Sequence, residues 1–424
     1  MTHDVTLAIA GAGLRGSHYA TLAAQRGARI TAVAEPDPQR RHRLARQHGV
    51  PDAHVFTDWR DLAARPKLAD AVVVATQDSA HAEPAIALAE RGYHLLLEKP
   101  MAPQEDDAQA IADAAERAGV MLSVCHVLRY TPYTTVLKSL LDAGRIGDIV
   151  SIQHLEPIGW WHFAHSYVRG NWRREQDSSS MLLAKACHDV DWLSYLIGKP
   201  ATRVSSFGGL THFRRENQPA GAADRCVVCP VEPTCPYSAP RLYLGCLGDS
   251  GREFWPLGAV TETATKQAVL SALATGPYGR CVYTSDNDVA DQQVVTIEYA
   301  GGATATLTAV AFSVLGHRQT RIFGTRGSIE GDGVSLTVND FVTSTAEHLT
   351  TTPQGASAAD GHGGGDEGLV AAFLRAVATG DRSHILSGPQ DSVDSHRIVW
   401  AAETARHHGT VETLAQQIAP VATS

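Results

Sequence analysis

The chain has no apolar run approaching the ~18–20 residues that cross a bilayer, which excludes a helical membrane span. It has no long run of lysine and arginine either. Net charge is −9 over 424 residues. The densest basic stretch, Arg40-Arg41-His42-Arg43, reads as a solvated helix face, so no nucleic-acid partner is expected. Internal repeats are absent. The polar Thr2-His3-Asp4 leads straight into an apolar run at Val5, which leaves no room for a secretory leader, and a cytoplasmic location is expected. In that compartment the seven cysteines should be thiols or metal ligands rather than disulfides. What remains is a composition of 44% hydrophobic and 19% charged residues, that of a globular protein long enough for two or three domains, each with its own core.

The most informative stretch is Val5–Glu35. An apolar run (Val5, Leu7, Ala8, Ile9, Ala10) ends in Gly11-Ala12-Gly13-Leu14-Arg15-Gly16, a helical pattern follows, and a second apolar run, Ile30–Ala34, ends at Glu35. Strand, glycine loop, helix and an acid at the next strand end are the parts of a dinucleotide site. Gly11 makes the tight turn, Gly13 lets backbone N–H groups approach a pyrophosphate, and Gly16 permits close helix–strand contact. Leu14 and Arg15 belong to the first helical turn, whose unpaired N–H groups suit phosphate charge. Glu35 would accept from the adenosine ribose hydroxyls, which favours NAD. Arg40 and Arg41 could instead meet a 2′-phosphate, so NADP stays open, although Glu35 would repel it.

The first third alternates strand and helix patterns. Strands are expected at 70–76, 93–98 and 120–125, with helices at 79–91 and 104–118 closed by Gly92 and Gly119. Repeated βα units imply a doubly wound parallel sheet over residues 1–126, a Rossmann domain in the α/β class. From 127 to 424 the pattern becomes α+β. Strands are expected at 149–156, 203–207, 294–299, 304–311, 321–324, 328–330 and 334–338, and helices at 132–143, 181–197, 366–379 and 389–408. These strands suggest a large, open, mostly antiparallel sheet. Two irregular stretches interrupt it: a Cys/Pro-rich insert at 216–258 and a Gly/Ala/Asp-rich segment at 357–365 that is expected to be mobile.

At Glu98-Lys99-Pro100 the sequence resembles the Gfo/Idh/MocA oxidoreductases. The likeness rests on this tripeptide after the glycine loop, on Arg129-Tyr130-Thr131-Pro132 and Gly144-Arg145-Ile146-Gly147, and on Lys185-Ala186-Cys187-His188-Asp189-Val190-Asp191. It covers nearly the whole chain. The resemblance implies a nicotinamide coenzyme in the N-terminal domain and a sugar or cyclitol substrate. It also implies a homodimer or homotetramer built on the open sheet face. Lys99 and His188 match the family's catalytic lysine and histidine. One departure stands out. Many members carry Asp four residues before the histidine; here Ala184 occupies that position, and the neighbouring Lys185 is the candidate to take its place.

Hydride transfer needs a base for the hydroxyl proton and a positive group near the developing alkoxide. Lys99, at the C-terminal end of a parallel strand, suits the second task, with Glu98 orienting it or touching the coenzyme amide. His188 suits the first. The plain alternatives are a surface lysine and a core histidine. On one continuous helix, Lys185, His188 and Asp191 would share a face. Thr76, Asp78 and His81 follow a strand and are expected to border the coenzyme. Arg129 and Tyr130 are expected to reach the cleft. The segment 159–172 is rich in aromatics, and Trp161, His162, His165, Tyr167 and Arg169 are expected to line a sugar site, or else an interface patch. Cys226-x2-Cys229-x5-Cys235, with Cys246 further on, has partial zinc-site character; the alternative is a loop of free thiols. Three activities fit these residues. The first is an NAD(P)-dependent dehydrogenase acting on a CH–OH group. The second is an NAD-dependent glycosidase working by transient oxidation and elimination. The third is a nucleotide-binding sensor without catalysis.

Overall fold

The computed structural model describes residues 4–351 and 362–414; positions 357–361 of the Gly/Ala/Asp-rich segment lie outside them. Six parallel strands form the first sheet: β1 (Thr6–Ala10), β2 (Arg29–Ala34), β3 (Val55–Phe56), β4 (Ala71–Val74), β5 (His94–Leu97) and β6 (Leu122–Val124), in the order β3-β2-β1-β4-β5-β6. The order reverses between β1 and β4, which opens a crevice at the carboxyl ends of the strands. The strands are apolar along their length because helices cover both faces, and Ala71 to Val74 are all fully buried. The helix Leu14–Gln25 begins at Gly13 with no side-chain cap and no acid in its first turn. Its first N–H groups therefore keep their capacity for an anion.

The second sheet has nine strands: β7 (Ile149–Pro157), β8 (Ala201–Gly209), β9 (Gln292–Tyr299), β10 (Thr304–Val310), β11 (Gln319–Gly324), β12 (Gly327–Gly331), β13 (Ser335–Asp340), β14 (Thr345–Thr350) and β15 (Val411–Thr413). Their order is β14-β13-β12-β11-β7-β10-β9-β8-β15, with β7–β10 the one parallel pair. Inward residues alternate with outward ones. Ile152, His154 and Glu156 of β7 are buried, and so are Ala305, Leu307 and Ala309 of β10. The opposite face stays open, with Phe207 and Phe323 exposed.

The helix expected over 181–197 is two helices, Met181–Ala184 and Cys187–Ile197, broken at Lys185 and Ala186. The chain then returns to the first lobe. Leu369, Val370 and Phe373 of the helix Gly365–Thr379 join the core of β1 and β2. The long helix Pro389–His408 ties back through Trp400, whose indole N–H donates to the Pro103 carbonyl at 2.8 Å. No helix among the described residues is long and apolar enough to cross a membrane.

Candidate active site

The glycine loop is built as its spacing implies. Gly11 has φ +96°, and a Cβ there would stand 2.4 Å from the Ala75 carbonyl oxygen. A Cβ on Gly16 would stand 1.9 Å from the Gly11 carbonyl oxygen, whereas one on Gly13 would meet nothing within 4 Å. Two glycines thus pack backbone on backbone, and the middle one faces the open space that a pyrophosphate needs. The buried Glu35 carboxylate accepts from Ala12 N–H at 2.7 Å and from Asp37 N–H at 2.9 Å, which fixes it beside the loop. Arg41 donates to the Glu35 and Pro36 carbonyls. Arg40 and Arg43 pair with Glu262 of the second lobe at 3.7 and 3.2 Å. An uncapped helix end, an open Gly13 and a buried carboxylate at the β2 end are a donor set that fits NAD.

Arg15 turns away from the loop. It donates to Glu98 at 3.0 Å, to Asp366 at 2.6 and 3.0 Å, and to the Tyr19 hydroxyl. Burial works to raise the Asp366 carboxyl, yet Arg15 and His362 hold it well below the usual range. The Arg15 side chain is therefore a brace between Glu98 and the returning helix. Leu14 Cδ2 packs near Gly258 of the Cys/Pro-rich insert, and the His18 and Phe254 rings lie 6.1 Å apart, so this insert folds over the glycine loop.

Lys99 follows β5 and carries a cis bond to Pro100. Its ammonium crosses to the second lobe and donates to the Ala184 carbonyl. One turn later stands His188, buried, with Nδ1 free of any hydrogen-bond partner. Burial drives its pKa well below 6.5, and the positive field of Lys99 acts in the same direction. Two further imidazoles close around it: His126 and His362 each have ring centroids 5.9 Å from that of His188. Lys99 thus reaches from the first lobe to the turn just before His188, at the carboxyl edge of the parallel sheet.

Because the helix breaks at Lys185, the expected common face of Lys185, His188 and Asp191 does not form. Lys185 Nζ lies 3.1 Å from the buried Glu156 of β7. Glu156 also faces Arg318 at 3.0 Å, and Arg318 pairs with Asp189, which meets His154 Nε2 at 2.9 Å. Burial works to raise the Asp189 carboxyl, but Arg318 and His154 hold it below the carboxylate range. Asp191 instead takes a bidentate bond from Arg129 at 2.7 Å.

Several expected contacts are therefore structural. Arg129 is consumed by Asp191 and the Leu386 carbonyl, and the Tyr130 hydroxyl by the N–H groups of Leu386 and Ser387. His81 sits between the Pro100 and Thr76 carbonyls, bracing the turn that carries Lys99. Thr76 donates to Ala80 O at 2.8 Å, and Asp78 accepts from Trp172 at 2.9 Å and from Ser178 at 3.1 Å, bonds that join the lobes. Arg169 is fully buried and donates to the Arg280 and Tyr237 carbonyls. These side chains hold hydrogen-bond partners within the fold, while Arg169 Nη1 is left without one.

The aromatic segment coils as Trp160–Phe163 followed by a wider π-helical turn, Ala164–Arg169. Trp255 of the insert lies over it, 5.3 Å from Trp161, 4.7 Å from His162 and 5.6 Å from His165, ring to ring. His162 and His165 are buried; burial takes the His165 pKa down to about 3 and the His162 pKa well below 6.5. His165 Nδ1 is 2.8 Å from the Tyr243 hydroxyl, and the Tyr167 ring stands 6.2 Å from Trp172. Trp160 and Trp161 are the partly exposed members.

Among the cysteines, Cys246 lies in the same apolar cluster as Cys226 but does not line the cavity around Cys226, Cys229 and Cys235. It is fully buried in a small core with Ala239, Tyr243 and Leu273, its thiol donating to the Leu242 carbonyl. Cys281 stands in its place beside Cys226, Cys229 and Cys235. All seven cysteines are free thiols.

Sequence reasoning did not single out His126, Glu156, Arg318, His362 or Asp366. His126 had a usable signal, since it directly follows β6 at the ligand-bearing edge of the sheet. Glu156 and Arg318 meet only through long-range packing, and the neighbouring His362 and Asp366 reach Arg15 and His188 the same way.

A doubly wound dinucleotide fold, an antiparallel-rich second domain and a lysine reaching across to the turn before a buried histidine define a two-lobed oxidoreductase architecture. The chain belongs to the Gfo/Idh/MocA oxidoreductase family. Residues 5–126 match its NAD-binding Rossmann fold and residues 138–412 its C-terminal alpha/beta domain. Bacillus subtilis oxidoreductase YteT is 25% identical over 381 residues, 85% of each chain. The levoglucosan dehydrogenase of Pseudarthrobacter phenanthrenivorans is 30% identical over 167 residues, 39% of this chain and 42% of that enzyme. The fold matches a solved levoglucosan dehydrogenase in complex with NADH and levoglucosan, with a TM-score of 0.68 at 19% identity, covering 98% of this chain and all of that one.

Proposed function

We propose that this chain is an NAD-dependent dehydrogenase acting on a CH–OH carbon of a sugar, cyclitol or glycoside. The reach of Lys99 across the lobes to the turn before the buried, unpartnered His188 supports this reading. When bound, NAD supplies the hydride acceptor or donor. Backbone N–H groups of the Gly13–Gly16 turn would hold its pyrophosphate, and Glu35 its ribose hydroxyls. Glu35 disfavours a 2′-phosphate, and with Arg40 and Arg41 already engaged, NADP is the weaker ligand. The Lys99 ammonium already donates to a carbonyl oxygen, which supports its role as donor to the reacting oxygen and stabiliser of the alkoxide. His188 is neutral and its Nδ1 is unpartnered, which supports its role as acceptor of the hydroxyl proton. Trp161 and Trp255 offer flat faces to sugar C–H groups. The open face of the nine-stranded sheet is the surface for a homodimer or homotetramer.

One observation favours a second reading, redox-neutral cleavage of a glycoside. Lys185 and Glu156 form another acid–base pair next to the cleft, which a simple dehydrogenase does not require. A panel of sugars and glycosides with NAD and NADP, followed by coenzyme absorbance and by product, separates the two. Stoichiometric NADH supports the dehydrogenase; sugar cleavage without net NADH supports the elimination. In either case Lys99→Met and His188→Asn should each lower kcat by about 10²–10⁴-fold with coenzyme affinity kept. Activity within about tenfold of wild type in both variants removes the catalytic assignment.

A further inference from the structure

Cys226, Cys229, Cys235 and Cys281 line one cavity of about 20 Å³, together with Arg169, Glu232 and Ser238. They come from two remote stretches: the first three from the short turns at 226–235, the fourth from the chain returning towards β9. Cys226 and Cys281 are buried, and Cys229 and Cys235 half-buried. Two of the sulfurs have an N–H donor directed at them. Arg169 Nη2 lies 3.4 Å from Cys226 Sγ, and Ala223 N–H lies 3.4 Å from Cys229 Sγ. Arg169 adds a buried positive charge.

N–H donors to sulfur and a neighbouring cation are the outer contacts that tune thiolate ligands to a metal. An ordinary apolar cluster of cysteines needs neither. No three of the four sulfurs lie within 4.8 Å of one another, so they ring the cavity rather than touch. We propose that Cys226, Cys229, Cys235 and Cys281 form a four-thiolate metal centre that ties the insert to the wall of the cleft. A zinc ion with bonds of about 2.3 Å would draw the ring inward, and an iron–sulfur cluster would hold it wider. The shared chemistry is a thiolate-binding metal. Arg169 gives the centre its reach: it lies on the same π-helical turn as His165 and Tyr167 and also bonds the carbonyl beside Cys281. The inference is independent of the coenzyme reading.

The test is metal analysis of the full chain purified after growth in zinc-supplemented and iron-supplemented media. The expected result is about one zinc per chain, or about four irons with matching labile sulfide and a visible charge-transfer band; either supports the centre. Cys281→Ser should lose the metal, and Cys246→Ser should keep it. Should Cys281→Ser fail to fold, the wild-type chain still decides: a strong chelator should expose four additional thiols to a disulfide reagent, and metal should protect them again. Absence of metal from both preparations overturns the proposal. So do disulfides among the four cysteines, or metal kept by Cys281→Ser and lost by Cys246→Ser.

Discussion

At the glycine loop the working groups are backbone. Gly11, Gly13 and Gly16 shape it within six residues, and a single carboxylate, Glu35, is anchored by two N–H groups. Across the cleft the working groups are ionised side chains. Lys185, Glu156, Arg318 and Asp189, with His154 bonded to Asp189, come from three separate stretches and pair with one another largely out of water. The first region is organised by local sterics, so its geometry survives loss of any single side chain. The second is organised by mutual charge compensation, so removing one member strands the rest. The two halves of the site should accordingly fail in different ways.

The sharpest test of this difference is Glu156→Gln. It leaves Lys185 and Arg318 facing each other with one counter-charge gone, and a broken buried pair costs about 3–5 kcal/mol. Glu35→Gln in the glycine loop keeps an acceptor for Ala12 N–H and should cost about 1–2 kcal/mol. Denaturant unfolding of both variants measures the contrast. The double variant Glu156→Gln with Lys185→Met should recover part of the loss. Equal costs at Glu156 and Glu35 would break the distinction.

Steric failure should appear at Gly16. A methyl group there meets the Gly11 carbonyl oxygen, and overpacking of this kind costs about 1–3 kcal/mol. Gly13→Ala has room and should keep wild-type stability while weakening coenzyme affinity. Unfolding and calorimetric titration of the two variants separate fold from ligand within three residues of chain.

The same division explains what could be read from the sequence. Five of the six parallel strands and the glycine loop were legible because each depends on neighbours in the chain: β4 is a short valine-rich run, and the loop a fixed spacing, whereas the two-residue β3 and the short helix Trp59–Ala63 carry too little pattern. Strands β7 to β13 were largely legible from alternation. By contrast β14 and β15 carry little apolar signal; residues 345–348 are exposed, and β15 has three residues. The break at Lys185 was not legible, since Leu182 to Leu196 keep helical spacing through it. The site was half legible. Lys99 and His188 lie in recognisable surroundings, but Arg15, Arg129 and Arg169 carry the same charge whether they face a ligand or a buried acid. Only packing shows that Asp366, Asp191 and the carbonyls beside the cysteines claim them.

The histidines sharpen the comparison through pH. His126, His162, His165, His188 and His396 are buried, and burial lowers each pKa below the unfolded value. Below pH ~6.5 the unfolded chain binds protons that the folded chain refuses, so stability should fall as pH drops from 7.5 to 5. Each histidine contributes up to about 1.4 kcal/mol per pH unit in that window. The depressed Asp189 and Asp366 act only lower, below the unfolded carboxyl pKa of ~4. Removing one proton site, His396→Gln, should flatten the slope by about one such increment. An unchanged slope would show that this group does not stay neutral in the folded chain.

The smallest effect is expected where the two regions touch at the surface. Glu262 faces Arg40 and Arg43 at 3.7 and 3.2 Å, and all three side chains are at least one-third exposed. Water and salt screen such pairs, so Glu262→Gln should cost less than about 1 kcal/mol and less still at high salt. The variant also asks which group sets coenzyme preference. If Glu35 decides by repelling a 2′-phosphate, freeing Arg40 and Arg43 leaves the NAD-to-NADP affinity ratio within about threefold of wild type. A large swing towards NADP in Glu262→Gln would instead assign the choice to the contact between lobes, and the glycine loop would lose its independence from the rest of the molecule.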